Sequence, residues 1–289
     1  MLTPDPHSPV SPPQMLKKVH DIGMSKARLR ILPLFLLAVL AGVYIAFGGV
    51  FSTIISTGMV GFVPYGVMKT LQGLVFSLGL VLVVVAGAEL FTGNMLMVVA
   101  LANQKITFIQ LFRNWGLVYA GNFIGSLLVT GLILLARTYT FSSGELGKNM
   151  LSIANAKLGY SFSQAFALGI LCNILVCLAV WLSFSAKNTT DKILSVIFPI
   201  TAFISAGFEH CVANMYLIPV AIFLRKIDPE FVVSTQLSAE ALNWSNFIVK
   251  NLLPVTLGNI LGGALFVGLI YFLAYKNHPE FRDSEQRTL

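Results

Sequence analysis

The sequence predicts an all-α integral membrane protein: a six-helix bundle made of two inverted three-helix repeats, with helices 2 and 5 broken. Three observations carry this. The 289 residues are 56% hydrophobic and only 11% charged, whereas a soluble domain carries about 25% charge and could not wet its surface with less than half of that. Six apolar segments are readable, over about residues 32–55, 70–100, 110–136, 162–185, 193–224 and 250–275. The second and fifth are far longer than the roughly 20 residues a helix needs to cross the hydrocarbon, and each has a polar, Gly-flanked insertion in its middle.

At the N-terminus, "MLTPDPHSPVSPPQ" is Pro-rich and lacks an apolar core, so it reads as a disordered segment over residues 1–14 and not as a signal peptide. Residues 15–31 then place Leu16, Val19, Gly23 and Ala27 near helical spacing beside Lys17, Lys18, Lys26 and Arg28. That pattern suits an amphipathic helix lying on the membrane surface. The transmembrane domain spans 32–275, with repeats over about 32–136 and 162–275, and a polar tail follows over 276–289.

The two insertions read "GAELFTGNM" (87–95) and "GFEHCVANM" (207–215), with Gly, Glu, Asn and Met in the same order and spacing. A second pair, "RNWGLVYAGNFIGSLL" in the third segment and "KNLLPVTLGNILGGAL" in the sixth, aligns Asn114 with Asn251, Asn122 with Asn259 and Gly125 with Gly262. A unit of three crossings is odd in number, so its second copy enters the membrane upside down. Irregular backbone survives at membrane depth only where protein buries it or where it lines a wet cavity. Both insertions are therefore expected at one central site. Asn94 and Asn214 suit the capping of the helices that restart after each break, whose N–H groups favour an anion. Glu89 and Glu209 are expected to satisfy loop amides.

Basic residues set the orientation. With the N-terminus inside, twelve Lys and Arg fall on the cytoplasmic side and seven outside, which favours cytoplasmic N- and C-termini in the cell membrane. The formal charge of +7 is thus read as membrane topology, with no nucleic-acid partner. Cys172, Cys177 and Cys211 all lie in apolar runs and suggest no disulfide framework.

His210 is the one histidine within the apolar segments; its counterpart in the first repeat is Leu90. Ionisable groups at membrane depth mark pathways, and an imidazole titrates near physiological pH. A single histidine beside Cys211 does not make a metal site, no nucleophile motif is present, and neither an enzyme nor a cofactor is expected. Phe76, Leu80 and Phe203 precede the breaks and suit helix packing and an apolar constriction equally.

With "GAELFTGN", "LFRNW", "GNFIGS", "NILVCLAVW", "GFEHCVANMYLIP" and "NLLPVTLGNILGG" in place, the chain resembles the formate/nitrite transporter family over about residues 14–275. The resemblance implies an aquaporin-like protomer in a homopentamer, carrying small monovalent anions such as formate, nitrite or hydrosulfide. It gives His210 the role of central pore histidine, with Thr92 opposite and Asn259 nearby, and makes Phe76, Leu80 and Phe203 constrictions. It also joins Lys157, Asn173 and Glu209 into an anion-attracting network. Cys211 stands where many relatives have Ser. The competing reading is an aquaporin-like channel for small neutral solutes, against which the chain contains no Asn-Pro-Ala motif.

Overall fold

A computed structural model describes residues 10–286, and every regular element among the described residues is helical. Five helices are long and apolar enough to cross a membrane: α2 (Ile31–Ser56), α3 (Tyr65–Ala86), α5 (Phe108–Leu135), α7 (Phe162–Ser183) and, late in the chain, Trp244–Tyr275. Shorter helices lie between them: α4 (Gly93–Ala102), α6 (Glu145–Leu158), α8 (Thr189–Ser205), α9 (Cys211–Leu217), α10 (Pro219–Ile227) and α11 (Pro229–Ser234). The long final span is α12, and a last helix, α13 (Pro279–Gln286), follows it.

The first helix, α1, runs Pro12–Arg28, which corrects the expected boundaries at both ends. Pro12 and Pro13 occupy its first turn, where a missing N–H costs nothing, and Gln14 Oε1 accepts from Ser11 N at 3.3 Å. Ile31 already belongs to α2. The helix is amphipathic, but its apolar stripe (Met15, Leu16, Val19, Gly23, Ala27) is buried in the protein. A Cβ added at Gly23 would stand 3.1 Å from the Ala100 side chain of α4. The end of α4 therefore covers the face expected to meet lipid. Residues 1–9 of the expected disordered segment lie outside the described residues.

Helices α2 and α5 cross closely because both present glycine: Gly42 meets the Asn122 backbone and Gly125 meets Val39. Helices α7 and α12 cross the same way through Gly258 and Gly262 against Phe166 and Ile170. Small residues let backbones approach where no water drives the packing. Between the two halves of the chain, six of the 14 residues of α6 are polar, so a search for long apolar runs passes over it. Its buried face (Leu146, Met150, Leu151, Ala154, Leu158) sets Lys157 beside the second insertion.

Both insertions interrupt helix. α3 ends with Gly87 in the left-handed region at φ 81°, and helix resumes at Gly93. α8 ends at Ser205, Gly207 has φ 72°, and α9 begins at Cys211. Pro219 starts α10 directly after α9.

Candidate functional site

The two irregular stretches meet at the centre. Thr92 Oγ1 lies 2.9 Å from His210 Nε2, and both residues are buried. His210 is itself the N-cap of α9: its Nδ1 accepts from Ala213 N at 3.1 Å. A nitrogen that accepts carries no hydrogen, so the neutral ring holds its proton on Nε2 and donates to the threonine. Thr92 O accepts from Asn173 Nδ2 at 3.2 Å and from Cys177 Sγ at 3.3 Å. The threonine is fixed from both ends.

This arrangement corrects what was expected of the two asparagines after the breaks, of the two glutamates and of Asn173. Asn94 and Asn214 do not cap the restarting helices. Each lies inside its helix and donates Nδ2 to a carboxylate, Asn94 to Glu89 at 2.8 Å and Asn214 to Glu209 at 2.7 Å. Glu89 and Glu209 in turn do not satisfy loop amides. They take lysine ammonium groups: Lys26 Nζ lies 3.1 Å from Glu89 and Lys157 Nζ lies 2.7 Å from Glu209. The loop amides go to Asn122 Oδ1, which accepts from Phe91 N at 2.9 Å, and to Asn259 Oδ1, which accepts from Cys211 N at 2.9 Å. Asn259 therefore shapes the loop and does not bond the His210 ring. Asn173 Nδ2 donates to Thr92 O and to Asn259 O (2.6 Å), and not to the Glu209 carboxylate that Lys157 meets.

What completes each pair is a third asparagine. Asn94 Nδ2 also donates to Asn114 Oδ1, and Asn214 Nδ2 to Asn251 Oδ1, at 2.8 and 2.7 Å. Asn114 Nδ2 reaches Lys26 O and Asn251 Nδ2 reaches Lys157 O. Asn122 Nδ2 donates to Ala38 O and Glu89 O; Asn259 Nδ2 donates to Gly169 O and Glu209 O. The two halves thus carry one hydrogen-bond pattern twice. Asn114, Asn122 and Asn251 were visible in the aligned third and sixth segments, but alignment alone assigns them no work. Lys26 gave no signal, because it stands 63 residues before Glu89.

Apolar groups flank the histidine. The Phe203 ring stacks on His210 with centroids 6.0 Å apart, and Phe76 meets Phe203 edge-on at 5.8 Å. Leu80, one turn further along α3, lines a cavity of about 460 Å³ with Lys18, Lys26, Lys192, Glu89 and Leu90. Partial burial, then the nearby charges of Lys187 and Lys192, hold Lys18 below the usual lysine range. Like charges crowd that rim, which makes it a favourable place for an anion.

The formate/nitrite transporter family model matches residues 13–273. The chain is 43% identical over 279 residues to the formate channel FocA of Escherichia coli K12, covering 95% of this chain and 98% of that protein. It is 41% identical to the uncharacterized transporter YrhG of Bacillus subtilis, covering 94% of this chain and 96% of that one. Among solved structures, a pentameric formate channel with formate bound superposes with a TM-score of 0.80 at 48% identity, over 86% of this chain and 98% of that one. An FNT family ion channel superposes at 0.77 with 28% identity, over 90% and 98%. A chain whose buried Thr–His contact and lysine–carboxylate pairs sit inside a family match of this extent is a member of the formate/nitrite transporter family.

Proposed function

We propose that the protein is a membrane channel for small monovalent anions of weak acids, formate first, with nitrite and hydrosulfide as further substrates. Each protomer has its own pore in a homopentamer within the cell membrane. Its six crossings form an aquaporin-like pair of inverted repeats, and both termini face the cytoplasm. The observation that carries this reading is the hydrogen-bonded Thr92–His210 pair placed beside the Phe76–Phe203 aromatic contact. A similar protein described as a formate channel and a pentameric structure with formate bound support the substrate and the assembly.

The geometry suits one sequence of events. An anion gathers near the cationic mouths, at Lys157 on one side and at Lys18, Lys26 and Lys192 on the other. A bare charge entering an apolar constriction is costly. Beyond Phe76 and Phe203 stands the Nε2–H of His210, which can turn from Thr92 Oγ1 to the anion. Donation of that hydrogen bond, or of a proton from a ring that has first taken one up to become imidazolium, lowers the cost of the far constriction, and Thr92 re-forms its bond when the substrate leaves. A neutral solute would need no such group, and this favours the anion reading over the aquaporin-class alternative.

The test is His210→Asn in proteoliposomes, with formate uptake and current recorded at several external pH values. The expected result is loss of the proton-linked component, leaving charge-carrying or negligible flux. Uptake with the wild-type rate and pH dependence would sink the role given to His210.

A further inference from the structure

On α3, residues Gln72, Phe76, Leu80 and Val83 form one stripe at helical spacing, and all four are less than 8% exposed. Three of them are apolar. Gln72 is the exception, and its Oε1 has no accessible surface to speak of and no donor among the described residues. A buried amide oxygen without a partner is costly, and natural proteins seldom keep one without a reason.

Its position supplies the reason. Gln72 is one turn from Phe76, towards the start of α3. There Ser205 Oγ donates to Lys69 O at 3.3 Å, and the Lys69 ammonium lies within electrostatic range of Lys157 and Glu209. Gln72 therefore stands between the cationic Lys157 mouth and the Phe76–Phe203 contact. The facing helix α8 adds a second unpaired group, Thr201 Oγ1, whose backbone packs against Gly73. Two polar atoms lacking protein partners thus fall on the neighbouring helices α3 and α8, close in sequence to Phe76 and Phe203.

We infer that Gln72 is a binding subsite for the neutral acid form of a small carboxylic acid, ahead of the Phe76–Phe203 constriction. The reasoning rests on the channel reading above. A primary amide offers an acceptor and a donor side by side, and a carboxylic acid offers the same pair reversed: its O–H donates to Oε1 and its C=O accepts from Nε2. A carboxylate lacks the hydrogen that Oε1 requires, so the subsite favours the protonated species drawn from its equilibrium with bulk water. Hydrazoic acid, a small weak acid without adjacent hydroxyl and carbonyl oxygens, cannot make the two-point contact.

The experiment compares formate and azide permeation of the full-length protein in liposomes, with protein-free vesicles subtracted, for the wild type, Gln72→Leu and Gln72→Met. The expected result is a formate-to-azide ratio lower by about fivefold in both variants, the factor that one net hydrogen bond carries. Thermal stability should be equal or higher, because an unpaired buried polar group has been removed. An unchanged ratio in an active wild type overturns the subsite alone and leaves Gln72 hydrating with water. A clear loss of stability in both variants also overturns it, since the amide would then be held by the protein itself. A wild type that passes neither anion above empty vesicles overturns the channel reading and the subsite together.

Discussion

Glu209 keeps 2% of its surface, and its charge is met by Lys157 Nζ at 2.7 Å, Asn214 Nδ2 at 2.7 Å and Asn251 Nδ2 at 3.1 Å. A buried carboxylate with three donors is tolerable; one deprived of its cation is not, because a desolvated charge is then left uncompensated. Lys157→Met is expected to destabilise the protein by about 3–5 kcal/mol. Adding Glu209→Gln should recover most of that loss, since a neutral amide needs no counter-charge. The Lys26–Glu89 pair is more open, with side-chain exposures of 24% and 8% against 17% and 2%. Lys26→Met should therefore cost less. Thermal denaturation of the three variants in detergent, beside the wild type, checks the order, and equal losses at the two pairs would refute the burial argument.

Among the elements, α13 has a role its polar composition conceals. Phe281 is 1% exposed, edge-on to His20 of α1 at 5.8 Å and to Phe272 at 6.5 Å. Ser11 Oγ donates to Glu280 Oε2 at 2.6 Å. Helix α13 therefore pins α1, and α1 supplies Lys18, Val19, Gly23 and Lys26 to the wall of the cavity beside Leu80. Phe281→Ala is expected to speed amide hydrogen exchange in α1 by about tenfold or more, with α7 unaffected, because local opening follows the loss of local packing. Exchange that rises equally in both helices would mean that the whole fold, and not the clamp, had been weakened. In α12, π-helical turns over Phe247–Leu252 and Leu261–Leu269 flank Leu253–Ile260. The extra residue in such turns re-aims side chains, and here the segment between them presents Asn259 to the second insertion.

For the whole molecule, the outer faces of the helices carry exposed large apolar side chains, among them Leu36, Phe47, Leu132, Phe198 and Leu273. In water such a surface would aggregate; facing lipid or further copies of the chain, it is in its proper solvent. The expected assembly is a pentamer with both termini in the cytoplasm. Light scattering of the detergent-solubilised protein should give five times the 31.4 kDa chain mass after detergent subtraction, and a monomer or dimer would contradict the assembly. A single cysteine at position 5 or 285 should resist labelling from outside intact cells.

Much was legible in the sequence because the membrane restricts the answer so severely. Apolar length locates crossings, and a polar insertion within such a run must be buried in protein or wet. His210 is exceptional by its chemistry alone, and the family resemblance placed Thr92 opposite it. Partner choice was not legible. Which amide an asparagine side chain reaches, and which lysine meets which carboxylate, depends on helices distant in sequence crossing at glycine contacts. Asn94 and Asn214 thus read as caps from their positions after the breaks, yet the structure turns them to Glu89 and Glu209 and gives the cap of α9 to His210. Lys26 met Glu89 only once α1 had packed across α4. Sequence by itself determined the medium, the long apolar helices and the one histidine among them, because composition and periodicity act along the chain. Only the tertiary structure decided the pairings, because hydrogen bonds and ion pairs are settled within about 3 Å, a distance that chain order does not record.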